Sequence, residues 1–469
     1  MRDIALTLVI FSTLPFILWR PHIGILVWTW IGFMNPHRLT WSFAYDMPFA
    51  MIVALVTLIA LLISREPKKI PWTRETILLL IFLAWLLLTT TFAMYPTRAW
   101  PHLNQIWKIL LMVYVTMILM QSRERINQLV WVIALSIGFY GVKGGIFTIL
   151  HGGVYHVRGP EGSFISGDNE MGLALIMTIP LLRYLQLTVR NVWLRGGLHA
   201  AMVLCAVATV GSQSRGALLG LVAMGTFLWL KTRNKIFTAI LGIVAIGLVL
   251  SVMPQEWYDR MATIKNYEAD QSAMGRINAW KMAFNMAKDR PLGGGLDAFQ
   301  PYSFALYAPD PDNVHDSHSI YFEVLGEQGF VGLAMFLMLG LMSWRTASWV
   351  IGRARRDREK RWVADLAAMI QVSLVGYATS GAFLGLAYFD YYYTLIALVV
   401  LCKIVLISGA AGKVAVPAAA SQTCSEIADE VDEIICAATP EPFYAVGQWY
   451  QEFSQTTDEE VRDLLARAS

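Results

Sequence analysis

The chain has 469 residues, 56% of them hydrophobic and only 15% charged, against about 25% charged in an ordinary soluble domain. Its mean hydropathy is +0.50 and its net charge is only +3. That balance excludes a soluble globular enzyme and a basic nucleic-acid-binding protein, and it points to an all-α, polytopic integral membrane protein.

Apolar runs that reach or approach the ~20 residues needed to cross a hydrocarbon core recur along the chain. They fall at 4–19, 23–34, 48–64, 76–94, 106–120, 128–150, 169–187, 198–211, 216–230, 236–253, 319–343, 363–382 and 391–407. The first has a charged region of Arg2 beside Asp3 and is followed by Arg20-Pro21-His22. A small-residue cleavage site is missing there, so the run is expected to be retained rather than removed as a signal peptide. The first two runs are short, and Pro21 either breaks one long span or separates two. We expect about 12 transmembrane helices, which puts both ends of the chain on the same side. The 17 Trp and 18 Tyr residues suit the membrane–water interfaces.

Basic residues orient the spans, because Lys and Arg concentrate in cytoplasmic loops. The loops at 65–75, 123–125, 183–195, 231–235 and 345–361 hold 19 Lys and Arg between them, whereas the intervening short loops hold Arg38, Arg98, Arg158 and Arg215. The first set is therefore expected inside. The long segment 254–318, expected to form a periplasmic loop of amphipathic helices, then lies outside.

Residues 421–469 carry 11 acidic and two basic side chains, so an acidic cytoplasmic tail (409–469) is expected beyond a membrane domain (1–408). Within it, 440–453 is aromatic, and 457–466 has the pattern of a short capped helix. Cys205 and Cys402 lie in spans and Cys424 and Cys436 in the tail, so no disulfide is expected. The two tail cysteines match no zinc pattern. We find no Walker A sequence and no internal repeat.

The outward charges carry the functional argument. Arg158 sits in Val157-Arg158-Gly159-Pro160-Glu161-Gly162, and Arg215 in the tight turn Gly211-Ser212-Gln213-Ser214-Arg215-Gly216. Arg276 sits in Gly275-Arg276-Ile277-Asn278-Ala279-Trp280, and Lys143 interrupts a span near its outer end. A guanidinium grips phosphate oxygens bidentately, more strongly where water is scarce. Arg38 and Arg98 fit the plainer role of snorkelling to lipid phosphates, and Lys143 fits either. His315 and His318 stand at the mouth of the 319–343 run, which also carries Tyr321, Glu323, Glu327 and Gly329-Phe330-Val331-Gly332. An imidazole there is placed to deprotonate a hydroxyl. Gly293-Gly294-Gly295 matches part of a phosphate loop, but a turn is the stronger expectation.

The order Ser214-Arg215-Gly216, Gly275-Arg276-x-x-x-Trp280, Pro291-Leu292-Gly293-Gly294-Gly295, then His318-Ser319-x-Tyr321 through Gly326-Glu327-x-Gly329-x-x-Gly332 resembles the O-antigen ligase/polymerase superfamily. Met34-Asn35-Pro36-His37-Arg38-Leu39-Thr40-Trp41 and Phe139-Tyr140-Gly141-Val142-Lys143-Gly144-Gly145 are similar to its branch of O-glycosylation ligases associated with exosortase A systems. Many relatives have His-Asn where this chain has His318-Ser319.

The resemblance covers roughly 1–408. It implies a GT-C-like fold and a bacterial inner-membrane glycosyltransferase that needs no nucleotide sugar, metal or other cofactor. Its donor would be an undecaprenyl-pyrophosphate-linked glycan and its acceptor the lipid A–core oligosaccharide, with a protein hydroxyl or a growing glycan as alternatives. Arg158, Arg215 and Arg276 would hold the pyrophosphate, His318 would be the base, and His315 and Lys143 would support them. Outside this class, a transporter of a lipid-linked or anionic solute would show repeat symmetry and charges near mid-bilayer. Here the charges cluster at the outer rim.

Overall fold

In the computed structural model, Pro21 starts a helix of its own rather than kinking a longer one. α1 (Arg2–Trp19) ends at Arg20, whose backbone is extended (φ −135°, ψ 95°), and α2 (Pro21–Met34) begins with proline at its first position. The missing N–H costs nothing there. Asn35 closes α2 in the left-handed region at φ 48°, which its short polar side chain tolerates, and a 3-10 turn follows over Pro36–Leu39. The structure describes residues 1–232, 271–408, 413–428 and 433–444, with isolated positions between 235 and 258. It divides into two units, Met1–Ile404 and Val405–Ser469.

The helices that follow are α3 (Phe49–Ile63), α4 (Arg74–Thr91), α5 (Pro96–Leu119), α6 (Arg123–Leu150), α7 (Asp168–Thr188), α8 (Val192–Gly211) and α9 (Arg215–Leu230). Several begin at polar caps. The side chains of Thr73, Ser122, Asn191 and Ser214 each accept a backbone N–H of the first turn, which satisfies donors that have no partner inside the helix. α10 (Gln271–Asp289) and the short α11 (Pro301–Tyr307) precede α12 (Ile320–Ala354), α13 (Arg361–Ser380) and α14 (Asp390–Ser408). Among the described residues nine helices are long and apolar enough to cross a membrane, and three shorter ones, α2, α3 and α9, are apolar as well. The first unit is thus an all-α polytopic membrane fold.

Contacts between loops sort the helix ends onto two faces. On the first, Asp3 accepts the Ser42 and Ala44 N–H groups at 3.0 and 3.2 Å, and the Arg38 guanidinium lies against Gly162. Met94 N–H donates to the Gly294 carbonyl at 2.8 Å, and Val157 N–H donates to that of Gly211 at 3.1 Å. On the second, Arg125 forms a two-pronged pair with Glu66 at 2.7 and 2.9 Å. There Gln121 donates to the Lys69 carbonyl at 2.9 Å, and Lys231 donates to Gln371 at 2.8 Å.

The N-terminus bears on the choice at Pro21. Asp3 holds it to the 42–44 loop on the first face, while Arg20, at the other end of α1, lies within electrostatic range of Glu66 on the second. α1 and α2 are therefore separate passages. Lys231 lies on the second face and Met253, packed beside Gly153, on the first.

The apolar run at 319–343 is also not one span. Gly329 breaks α12 with φ 66° and ψ −172°, a conformation open essentially to glycine alone, and the longer helix runs from Phe330 to Ala354. The span expected at 236–253 lies mostly outside the described residues, as does the aromatic stretch 440–453; the capped helix expected at 457–466 lies wholly outside them.

The second unit contains β1 (Lys413–Ala418), α15 (Ser421–Ala428) and β2 (Glu433–Ala438), with the strands parallel and Lys413 opposite Glu433. Cys424 and Cys436 are joined in a disulfide, which corrects the expectation of none. The parallel crossover returns the chain so that their Cα atoms stand 6.6 Å apart, within bridging distance. Spacing along the sequence does not reveal that return.

Candidate functional site

α10 is the bracket on which the histidine loop is built. Asn278 donates to the Asp310 and Asn313 carbonyls at 2.7 and 2.9 Å and accepts the Asp310 N–H at 3.0 Å. Two residues on, the Trp280 indole donates to the Ser317 carbonyl at 2.7 Å. Its ring stacks on Phe322 at 4.9 Å, tilted by only 8°. Gly275 leaves the space into which the His315 ring packs, since a Cβ there would fall on the imidazole. The Gly-Arg-x-x-x-Trp spacing thus puts a seat for His315, the Arg276 guanidinium and a clamp on Ser317 on one helix.

His318 follows the clamp with φ 42°, a left-handed backbone that few non-glycine residues adopt. Asp316 accepts the Ser317 N–H at 2.7 Å. Burial pushes the His318 imidazole below the ordinary histidine range, Arg276 and His315 push the same way, and Asp316 opposes them. The ring is therefore kept neutral near pH 7 and can accept a proton.

The carboxylates of the motif hold the frame. Glu323 accepts the Ala387 N–H at 3.0 Å, and Tyr321 donates to the Ala378 carbonyl at 2.8 Å. Glu327 accepts the Asp297 N–H at 2.7 Å and the Tyr388 hydroxyl at 2.8 Å. The glycine triplet serves the same purpose. Gly294 and Gly295 donate their N–H groups to the Gly326 and Glu327 carbonyls at 2.8 and 2.9 Å, so these amides are not available to cradle a phosphate. The triplet is a turn that seats the break at Gly329.

The structure brings Arg276, His315 and His318 together directly. Arg215 opens α9, and Gly216 beside it packs on Phe383, where a Cβ would come within 2.9 Å. Gly385, in the same 381–389 loop, lies beside Glu323, Ser317 and Asp316, with 3.5, 3.5 and 3.6 Å to a Cβ placed there. This loop therefore connects the Arg215 turn to the histidine loop. Arg158 is exposed and follows Val157, which is bonded to Gly211 at the same turn. The next segment is held by His156, 2.9 Å from Asp168. Lys143 is exposed on α6, next to Gly144, which packs on Val157.

Directly after His318 an apolar groove of about 240 Å³ opens between α12 and α13, running from Ile320 and Tyr321 past Phe336 and Gly340 to Trp344. Sequence reasoning overlooked this groove, the clamp residues Asn278 and Trp280, and the role of Asp316. It also passed over Lys108, an exposed lysine well inside α5, although a charge within an apolar span is itself a signal. Among the described residues no three His, Cys, Asp or Glu side chains are grouped to hold a metal ion.

Residues 1–189 match a family of unknown function. A 54-residue stretch is 46% identical to proteins named "Putative phosphoribosyl transferase" from two strains of Mycobacterium tuberculosis. That stretch covers 12% of this chain and 12% of theirs, so the chain spans about an eighth of the curated relatives it matches. Residues 200–337 match the O-antigen ligase family. This match takes in α10, the histidine loop, the glycine triplet and the break in α12, so this part of the chain is similar to the O-antigen ligase family.

Proposed function

We propose that this glycosyltransferase moves a glycan from undecaprenyl pyrophosphate to a hydroxyl of the lipid A–core oligosaccharide, on the periplasmic face of the bacterial inner membrane. The basic side chains Arg125 and Lys231 fall on the second face, which supports reading that face as cytoplasmic and the histidine face as periplasmic. His318 takes the proton of the acceptor hydroxyl as its oxygen attacks the anomeric carbon. The bond from that carbon to phosphate breaks on the opposite side, the pyrophosphate leaves with the electron pair, and the configuration inverts. Arg158, Arg215 and Arg276 bind the negative charge that grows on the leaving group, with His315 and Lys143 in support. The polyprenyl chain lies in the groove between α12 and α13.

One observation carries this assignment: the half-buried His318 stands within electrostatic range of Arg276, two residues before the apolar groove begins at Ile320. The match to phosphoribosyl transferases is too short to transfer their activity. The test is purified protein in detergent with EDTA and without ATP, given a lipid-linked glycan and either lipid A–core or protein. Transfer to lipid A–core with release of undecaprenyl pyrophosphate is expected. Transfer to protein alone, or extension of the lipid-linked glycan, would reassign the acceptor. Passage of donor across a vesicle membrane without chemistry would overturn the enzyme assignment.

A further inference from the structure

A second polar cavity on the histidine face belongs to neither the arginine set nor the groove. It measures about 370 Å³ and is lined by Asn35, His37, Arg38, Gln105, Ser163 and Phe164, with Ile31, Gly32, Ala50 and Gly162 completing the wall. Its volume falls in the range of small-ligand sites. Four segments build it: the end of α2 with the turn after it, the start of α3, the face of α5 and the loop before α7.

The unsatisfied groups lie on one side. His37 Nδ1 and Arg38 Nε are buried without a hydrogen-bond partner, a state that costs free energy unless something else completes the bond. Arg38 is otherwise engaged only loosely. One of its terminal nitrogens is 3.7 Å from Asp46, which is 90% exposed, and its guanidinium lies 4.6 Å from the centre of the Tyr45 ring. Gly162, at φ 72°, lets the loop close over the guanidinium, because a Cβ there would come within 3.3–3.5 Å of it. Burial and the Arg38 charge push His37 below the ordinary histidine range, leaving Arg38 as the wall's cation. Lys108 lies three residues beyond Gln105, on the same side of α5.

We propose that this cavity binds a saccharide bearing one anionic group, the carboxylate of a hexuronic acid or the phosphate of a sugar phosphate. A headgroup phosphate alone would need only the cation. Here the cation is accompanied by two amides and a neutral imidazole, and Phe164 offers an apolar ring face; the Ser163 hydroxyl is spent on the loop itself, donating to the Pro160 carbonyl at 2.7 Å and accepting the Ile165 N–H at 3.3 Å. Of the two amides, the Asn35 side-chain N–H donates to the Gly32 carbonyl at 2.7 Å, which leaves its oxygen for a ligand hydroxyl. That mixture suits a pyranose ring with several hydroxyls and one charged arm.

The test is binding, independent of transfer, so it can fail while the ligase assignment stands. Saturation-transfer NMR and calorimetry on the full-length protein in nanodiscs would compare glucuronate, glucose 1-phosphate, glucose, inorganic phosphate and glycerol 3-phosphate. Glucuronate or glucose 1-phosphate should bind at least about tenfold more tightly than glucose and inorganic phosphate, as a charge-assisted contact added to ring recognition requires. Arg38→Met should remove that advantage, and His318→Ala should leave it intact. If Arg38→Met does not fold, Gln105→Ala and the preference of the parental protein for glucuronate over glucose carry the test. Equal binding of glucose and glucuronate, or loss in His318→Ala but not in Arg38→Met, overturns the proposal. Glycerol 3-phosphate binding as tightly as the sugars would make this a lipid-headgroup site and overturn it too.

Discussion

The two faces of the membrane unit treat their cations differently. On the second face the basic side chains serve the fold. Arg125 pairs with Glu66 and also donates to the Leu119 carbonyl at 2.8 Å. Arg123 lies over Trp362, Arg353 over Trp349, and Lys231 reaches Gln371. On the first face Asp46 and Asp297 stand 3.7 and 3.5 Å from Arg38 and Arg98, while the carboxylates around the histidine loop hold backbone and hydroxyl groups. Asp316 holds a backbone amide, Glu323 another, Asp168 holds His156, and Glu327 holds an amide and a hydroxyl. One face uses charge to join helices, and the other gathers it around a loop. The difference predicts which substitutions disable chemistry and which only loosen the protein.

The largest expected effect is at the base. His318→Ala should lower turnover by roughly 10²–10⁴-fold, the usual contribution of a positioned acid–base group, while donor affinity persists because the arginines hold the pyrophosphate. Loss of donor binding with turnover intact at saturation would make His318 a donor ligand instead. The arginines come next. Arg215→Ala should abolish or sharply reduce transfer at normal protein level, with Arg276→Ala and Arg158→Ala following. Arg215→Lys should rescue poorly, since an ammonium does not reproduce the planar fork. Parental transfer by Arg215→Ala would rule out its pyrophosphate role.

Much of this contrast is legible in the sequence. The apolar runs, the basic loops and the Gly-Arg-x-x-x-Trp and His-Ser motifs locate the helices and the histidine loop, because periodicity and charge are local properties. Asp3 is not legible in the same way. Its carboxylate caps a loop 39 residues away, and only that tertiary contact reveals on which face α1 begins. Gly329 hides inside a run that reads as one span, because glycine is common in membrane helices and its backbone angles leave no mark on hydropathy. Glu323 and Glu327 look like catalytic carboxylates until their partners in the 381–389 loop and at Asp297 and Tyr388 are seen. The disulfide depends on a parallel crossover that the cysteine spacing does not encode.

A smaller effect is expected across the membrane. Arg125→Ala should leave turnover per folded molecule unchanged and reduce stability by about 1 kcal/mol or less, as befits a half-exposed pair. Arg125 holds the Glu66 carboxyl below its usual range. The stability it adds is therefore present above the unfolded carboxyl value and is lost as pH falls through the folded one. Thermal unfolding of the two proteins should converge in acid. A loss of transfer per molecule in Arg125→Ala would break the distinction between the faces.

The finest test concerns the pH at which His318 begins to work. Transfer should fall on the acid side as the imidazole takes up a proton, at a pH below the ordinary histidine value because burial, Arg276 and His315 all disfavour the charged ring. Asp316 acts the other way, so Asp316→Asn should move that acid limb to still lower pH. The replacement side chain still offers an oxygen to the Ser317 amide, so the loop geometry should hold and the change should be electrostatic. Arg276→Met should move the limb to higher pH, whatever it does to the maximal rate. Opposite displacements in the two variants, read from turnover at saturating donor, would identify the titrating group as His318. Profiles that coincide with the parental one would place the titration elsewhere, for the charges beside His318 cannot be changed without moving its proton affinity.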